Sequence, residues 1–281
     1  MMVPEEIEFL YRVLSAIRPN LIDFVLVGGF ASYLYQFHDR AKPIKLSPLL
    51  TYDIDLASGG QIPVRGGKSV HQSLTEIGLK EEFTGDCIPP LVKYFPRDKK
   101  PSLYVEFLTP MRGSETKRRG SDITQNIQAD LSAQKLRFLD LLLKNPWEIN
   151  TSSVPAFNKY PKLVVRIPHP NMFIMQKILI SKRRTDKSQL KDLAYIYQIL
   201  AYLREEFEVI AQEYKELIDN PEWKRWYKNF ITLSKEIFGT SQNEGPIGAS
   251  KILVQATPGM ICAVVNRFIN SCPNIQSRKK K

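Results

Sequence analysis

The sequence is poor in several features that mark whole classes of protein. Its 281 residues include three cysteines, and none belongs to a CxxC pair, which argues against a disulfide framework and a structural zinc site. With 14 glycines and 19 prolines it is neither collagen-like nor of low complexity. No run approaches the roughly 20 apolar residues of a membrane span. The first residues, MMVPEEIEFL, carry acids where a signal peptide has basic side chains. We therefore expect a cytoplasmic protein without a membrane segment.

Acidic residues are also in the minority. Lys and Arg number 40 against 29 Asp and Glu, which gives a formal net charge of +11. Residues 278–281 form a basic tail, and the remaining excess is concentrated in two windows, residues 93–119 and 177–191. Such a balance favours an acidic partner: nucleic acid, nucleotide or an anionic surface. The hydrophobic fraction of 43% is sufficient for a folded core, and the length suits one large or two modest domains.

Hydrophobic periodicity divides the chain into two halves. The first half mixes helices and strands, and glycines separate a strand at 24–27 from the helix after it. We predict helices at 5–17 and 68–79 and strands at 24–27, 51–57, 92–95, 103–108 and 163–167. We expect a loop at 112–125, irregular structure at 147–160, and either helix or strand at 131–143. The second half predicts helices at 171–181, 188–206, 209–218, 223–238 and 259–271. The expected organisation is an α/β domain at 1–169 and a helical domain with a basic tail at 170–281.

The strongest chemical signal is the sequence D-I-D at residues 53–55. Side chains two apart in a strand point to the same face, so Asp53 and Asp55 share a side while Ile54 faces the core. Adjacent carboxylates repel each other unless a cation lies between them. Mg²⁺ is the natural ion because it prefers oxygen ligands and is commonly held by carboxylates and phosphates. The alternative is a surface strand with two solvated acids.

Two further signals lie on either side of these acids. Gly28-Gly29 joins a strand to a helix, where the backbone N–H groups can approach a phosphate; the alternative is a tight turn that requires glycine. Glu106 is the acid within the apolar strand V-E-F and would face away from Val105 and Phe107. It either joins the cleft of Asp53 and Asp55 or is solvated on an edge strand.

In this order, the three motifs resemble the nucleotidyltransferase superfamily of the DNA polymerase β type. Its pattern hG[GS], Dh[DE]h, h[DE]h matches Val27-Gly28-Gly29, Asp53-Ile54-Asp55-Leu56 and Val105-Glu106-Phe107. The resemblance implies an α/β (α+β) core with a mixed sheet, followed here by a mainly helical C-terminal half. It also implies that Asp53, Asp55 and Glu106 hold Mg²⁺ or Mn²⁺, with Glu106 activating the acceptor. Gly28 and Gly29 would hold the phosphates of an NTP such as ATP. Such a site performs in-line phosphoryl displacement between metal ions.

A second resemblance lies in the helical half. Lys177, Arg183 or Arg184, and Lys191-Asp192 resemble the pattern of AbiEii-type nucleotidyltransferases, some of which are toxins paired with an antitoxin. Tyr195 replaces the last acid of that pattern. The resemblance implies that Lys177 contacts the triphosphate and that Asp192 is a further active-site residue. The alternative is a lysine on a solvent-exposed helix face and an ordinary Asp near a helix N-terminus.

These observations predict a Mg²⁺-dependent nucleotidyltransferase that moves a nucleoside monophosphate from an NTP to an acceptor hydroxyl. The basic residues around Glu106 favour RNA as the acceptor, for example the end of a tRNA, and the second resemblance raises the possibility of a toxin with an antitoxin partner. One alternative is transfer to a protein or a small molecule. Another is a non-catalytic protein that binds nucleotide or nucleic acid on the same fold.

Overall fold

A computed structural model describes residues 4–42, 44–47, 49, 51–85, 88–97, 103–112, 116–117, 120–121, 123–184, 186–218 and 220–274. The chain forms two compact units. The first comprises Met1–His38 and Pro48–His169, and the second comprises Asp39–Ser47 and Pro170–Lys281. The predicted fold class is confirmed, since a mixed sheet with helices in the N-terminal half precedes a mainly helical C-terminal half.

The first unit is built on a sheet of seven strands. Their order is β1-β2-β5-β4-β3, and β9 pairs with both β5 and β8. The pairs β2–β5 and β5–β9 are parallel, whereas β1–β2, β3–β4, β4–β5 and β8–β9 are antiparallel. Two-stranded pairs are formed by β6 with β7 and by β10 with β11. The strands are β1 (Val25–Val27), β2 (Asp53–Ala57), β3 (Leu79–Thr84), β4 (Leu91–Pro96), β5 (Tyr104–Pro110), β6 (Thr116–Lys117), β7 (Gly120–Ser121), β8 (Thr124–Gln128), β9 (Leu131–Leu136), β10 (Trp147–Asn150) and β11 (Val164–Ile167).

Helices cover this sheet because its strands carry fully buried apolar side chains. Ile54 and Leu56 on β2 and Val105 and Phe107 on β5 are at most 1% exposed, and α2 packs against β2. The helices of this unit are α1 (Pro4–Ala16), α2 (Gly28–Leu34), α3 (Val70–Glu76) and α4 (Leu139–Leu142). The apolar stripe of α1 is buried, as the three-four spacing of residues 7–17 predicts.

Four local predictions in this unit were wrong or incomplete. The segment predicted as a loop at 112–125 contains β6, β7 and the start of β8, and the irregular segment at 147–160 begins with β10. Residues 131–143 hold both alternatives in succession, β9 and then α4. The predicted helix at 68–79 ends three residues early, and Leu79 begins β3. Most side chains of β3 are exposed, so that strand lacks the apolar alternation that would have revealed it.

The second unit consists of helices and the segment 39–47. The helices are α5 (Pro170–Ile180), α6 (Asp186–Tyr202), α7 (Phe207–Gln212), α8 (Lys215–Ile218), α9 (Pro221–Phe238), α10 (Glu244–Ile252) and α11 (Pro258–Ser271). The amide N–H of Lys42 donates to the carbonyl oxygen of Tyr202 over 2.8 Å, which ties the segment to the end of α6. No helix within the described ranges is long and apolar enough to cross a membrane.

Helix α10 was not predicted, and the predicted helix at 209–218 is divided between α7 and α8. The sequence of α10, EGPIGASKI, contains two glycines and a proline, which lower intrinsic helix propensity. Packing explains why the helix forms there. A Cβ atom on Gly248 would lie 2.4 Å from Cδ2 of Leu190, so glycine allows α10 to approach α6 closely.

Candidate active site

The two aspartates of the D-I-D motif lie on one face of β2. Ile54 is completely buried on the opposite face, whereas Asp53 is half-buried and Asp55 is 8% exposed. The hydroxyl of Thr51 donates a hydrogen bond to Oδ1 of Asp53 over 2.6 Å. Because Thr51 itself is buried, this contact fixes one Asp53 oxygen at the start of the strand.

Strand β5 places Glu106 beside these aspartates. It runs parallel to β2, with Glu106 opposite Asp55 and Tyr104 opposite Asp53. Residues in register on neighbouring strands share a face, and Val105 and Phe107 are buried on the other one. The sheet therefore presents the carboxylates of Asp53, Asp55 and Glu106 on one side. This set of three side chains is called the acidic face below.

The glycine turn meets the acidic face directly. Gly28 begins α2 with φ at +68°, a backbone conformation that favours glycine. A Cβ atom at this position would lie 2.0 Å from Oδ2 of Asp55. Val27 pairs with Asp55, and Gly29 follows as a buried residue of the helix. The interpretation as a tight turn that requires glycine is therefore confirmed for Gly28, and phosphate binding by the turn stays a prediction.

Lys93 belongs to the basic window around Glu106 that the sequence assigns to the acceptor, but its direct contact with the acidic face was not predicted. Its Nζ atom lies 2.9 Å from Oε2 of Glu106 and 4.1 Å from the centre of the Tyr104 ring. The antiparallel register of β4 and β5 sets Lys93 opposite Glu106. The signal was available in principle, because V-K-Y on β4 and V-E-F on β5 carry opposite charges within two apolar strands joined in sequence.

The acidic face is chemically suited to a divalent cation. Asp53 and Asp55 offer hard oxygen ligands two residues apart on one face, which is the donor set that Mg²⁺ prefers. In the described part of the chain, no three His, Cys, Asp or Glu side chains are grouped closely enough to hold a metal ion by themselves. The Glu106 carboxylate is instead engaged by Lys93.

Tyr104 lies on the same face as these acids, opposite Asp53, and the Lys93 ammonium lies 4.1 Å from the centre of its ring. Burial raises the pKa of the Tyr104 phenol well above its ordinary value, and the charges of Glu106, Asp53 and Asp55 raise it further. Its hydroxyl therefore stays protonated at alkaline pH values where an ordinary tyrosine ionises. The Tyr104 ring also packs against Phe95, with 5.7 Å between their centres.

The two residues selected in the helical unit form a buried ion pair. Nζ of Lys177 lies 2.7 Å from Oδ1 of Asp192, and their side chains are 9% and 4% exposed. Nε of Arg184 lies 3.0 Å from Oδ2 of the same carboxylate. The alternative of a solvent-exposed lysine and an ordinary helix-terminal Asp was therefore wrong. Two cations share one carboxylate, which leaves an excess positive charge at this point.

Other residues near the site, or within the basic windows, have structural roles. Tyr94 on β4 is fully buried against Phe107, with 6.0 Å between the ring centres, so its ring belongs to the core. In the second basic window, Lys182 pairs with Glu236 at the surface. Outside the described residues or side chains lie Cys87, Lys99, Lys100, Lys117, Arg118, Arg119 and the basic tail at 278–281.

Comparison with known proteins supplies the family. The profile of a family described as nucleotidyltransferase matches residues 10–219, which include the glycine turn, the acidic face and the Lys177–Asp192 pair. No match was found among curated proteins or among solved structures. The family match covers well over half of the chain, including every motif that carried the resemblance. The chain therefore belongs to the nucleotidyltransferase family and is an enzyme of that class.

Proposed function

We propose that this enzyme uses Mg²⁺ to transfer a nucleoside monophosphate from an NTP to a hydroxyl of RNA. The observation that carries the proposal is the acidic face, where parallel pairing of β2 and β5 sets Glu106 opposite Asp55, on the face that also carries Asp53. Carboxylates that share one face of a sheet repel each other and are stabilised by a cation. Nucleotidyl transfer is the reaction for which the family is named, and enzymes of this class generally use a divalent metal ion.

In this proposal, Asp53 and Asp55 hold the ion, and Mn²⁺ can replace Mg²⁺. The bound ion supplies positive charge to the phosphates and lowers the pKa of a coordinated hydroxyl. The residues of the chain orient the reactants around it. Gly28 and Gly29 are proposed to bind the phosphates through backbone N–H groups, and the absence of a side chain at Gly28 lets the turn lie against Asp55. Glu106 is the third acid of the face and the candidate for activating the acceptor.

A separate proposal concerns two residues of the helical unit. We propose that Lys177 binds phosphate oxygens of the nucleotide and that Asp192 positions its ammonium group. The 2.7 Å ion pair supports this role for Asp192, because it fixes an otherwise flexible lysine. Arg184 adds a second cation, with an exposed part, to the same carboxylate. The proposal of a toxin role with an antitoxin partner rests on the resemblance to AbiEii-type enzymes that Lys177, Arg184 and Asp192 carry.

The net charge of +11 supports RNA as the acceptor, since phosphate contacts by Lys and Arg position a polyanion without reading its sequence. A protein or small-molecule acceptor is the first alternative. A non-catalytic nucleotide-binding role is the second, and it is favoured by one observation: the third acid, Glu106, is already paired with Lys93.

The test is transfer of radiolabel from each α-labelled NTP, with Mg²⁺, to total RNA, to purified tRNA or to protein. We expect labelled RNA with the natural protein and no product with Asp53→Asn or Asp55→Asn. Glu76→Gln is the matched control, because it removes an exposed carboxylate from the same unit that pairs only at the surface with Lys68. Label on protein would select the first alternative. No labelled product with any NTP or acceptor would contradict the proposal.

A further inference from the structure

Lys93 is a cation built into the edge of the acidic face. The register across four neighbouring strands places Val27, Asp55, Glu106 and Lys93 in one row. The row therefore changes from apolar to acidic to basic. Lys93 lies beside Glu106, on the side away from the glycine turn, and the exposed Glu82 of β3 follows it in register.

The position of the Lys93 ammonium is fixed by two contacts. Oε2 of Glu106 lies 2.9 Å away, and the face of the Tyr104 ring lies 4.1 Å away. The side chains of Lys93 and Glu106 are 23% and 15% exposed, so solvent screens the pair less than it would at the surface. A cation held by both a carboxylate and an aromatic face is restricted in position. Lys93 is thus unlike a mobile surface lysine.

Charge balance indicates what this arrangement does. Three carboxylates on one face usually require more than one divalent cation to offset their repulsion. Here the Lys93 ammonium already offsets the charge of Glu106. Lys93 and one divalent ion together carry as much positive charge as the three carboxylates carry negative charge.

We propose that Lys93 is a positioning residue that takes the place of a second metal ion, so that the acidic face binds one divalent ion, at Asp53 and Asp55. Lys93 holds Glu106 out of the metal coordination. This inference rests on the proposed function, because it assumes that the acidic face is the metal site.

The test counts ions without requiring catalysis. Mn²⁺ is titrated into the full-length protein in the absence of nucleotide, and free Mn²⁺ is measured by electron paramagnetic resonance. The natural protein is compared with Lys93→Met and with Lys93→Arg, which keeps the charge. Lys68→Met is the matched control, since it breaks an exposed Lys–Glu pair in the same unit. Circular dichroism verifies that each variant is folded, and Asp53→Asn identifies the ions bound at the acidic face.

We expect one Mn²⁺ per chain for the natural protein, Lys93→Arg and Lys68→Met. Lys93→Met should bind a second Mn²⁺, or bind the first about tenfold more tightly, because a nearby positive charge is gone and Glu106 is released. Equal titrations for the natural protein and Lys93→Met, both abolished by Asp53→Asn, would overturn this inference and leave the proposed function intact. An absence of Mn²⁺ binding by every variant would overturn both.

Discussion

At the scale of single residues, the position that constrains the site most is Gly28. Two independent demands meet there: a positive φ that favours glycine, and a carboxylate oxygen where a Cβ atom would stand. The positive φ constrains only the backbone of Gly28, whereas the closeness of the carboxylate constrains the distance between the turn and Asp55. Variants can separate the two, because the same unit contains a glycine that meets only the first.

Gly28→Ala is expected to destabilise the protein more than Gly67→Ala. Gly67 has a φ of +76°, and a Cβ atom added to it would have open space within 4 Å, so its replacement costs about 1–2 kcal/mol of backbone strain. Gly28→Ala should cost the same backbone strain and about 1–3 kcal/mol more, because Asp55 must move to make room for the Cβ atom. Urea denaturation followed by circular dichroism measures both costs. Equal losses of unfolding free energy in the two variants would show that Asp55 can move aside without strain.

The pair Lys177–Asp192 leads to a second prediction at this scale. Asp192→Ala should cost about 3–5 kcal/mol of unfolding free energy, since it leaves a buried ammonium without its carboxylate. The double variant Lys177→Met with Asp192→Leu should be less destabilised than Asp192→Ala, because no buried charge remains. Urea denaturation again provides the measurement. A double variant as unstable as the single one would refute the view that the unpaired ammonium causes the loss.

At the scale of elements, hydrophobic patterns predicted segments that bury one face and also α5, which is buried on all sides over residues 170–179. Strands β2 and β5 and helices α5, α6 and α9 were found within a few residues of their predicted bounds. Strand β3 and helix α10 were missed, because the first is largely exposed and the second depends on close packing against α6. The motif order predicted which acids to select. The opposite charges of V-K-Y and V-E-F are consistent with a pairing of Lys93 with Glu106, but the antiparallel register of β4 and β5 is needed to identify it.

Helix α3 supplies the prediction for this scale. Ser69 caps the helix by accepting from the N–H of Gln72, and its hydroxyl donates to Asp130 over 2.6 Å. Ser69→Ala should lower the free energy of unfolding by about 1–2 kcal/mol, because it removes a capping box and leaves Asp130 without that donor. Ser69→Thr keeps the hydroxyl and serves as the control. If chemical denaturation gives the same loss for both variants, capping is not the cause.

At the scale of the whole molecule, buried weak acids make stability depend on alkaline pH. Burial raises the pKa of the Cys272 thiol to about 12 from an ordinary value of 9.0, although a hydrogen bond with Tyr227 acts in the opposite direction. Burial also raises the pKa values of Tyr35, Tyr94 and Tyr214. In each case the folded state favours the protonated form. The contribution of each group to the stability of the folded state is fully present below the pKa that the group has in the unfolded chain. It is lost as pH rises from that value through the higher pKa of the folded state.

We therefore expect the melting temperature of the natural protein to fall as pH rises above about 9, and that of Cys272→Ala to fall less steeply. For one such thiol the loss reaches about 1.4 kcal/mol per pH unit between the unfolded and folded pKa values. Cys262→Ala is the control, because that thiol is partly exposed. Melting curves recorded at several pH values between about 8 and 10 measure the slopes. Parallel slopes for the natural protein and Cys272→Ala would exclude a contribution from this thiol.

The burial pattern of β2 and β5 also favours the one strand register that forms the acidic face. A slip of β5 by one residue would turn Glu106 towards the core, among Ile54 and Leu56, and expose Val105 and Phe107. Burying a carboxylate there, without a partner, would cost several kcal/mol or more. Chains that pair these strands incorrectly are thus disfavoured before any substrate binds. The core of this enzyme sets the alignment of its acids as well as its stability.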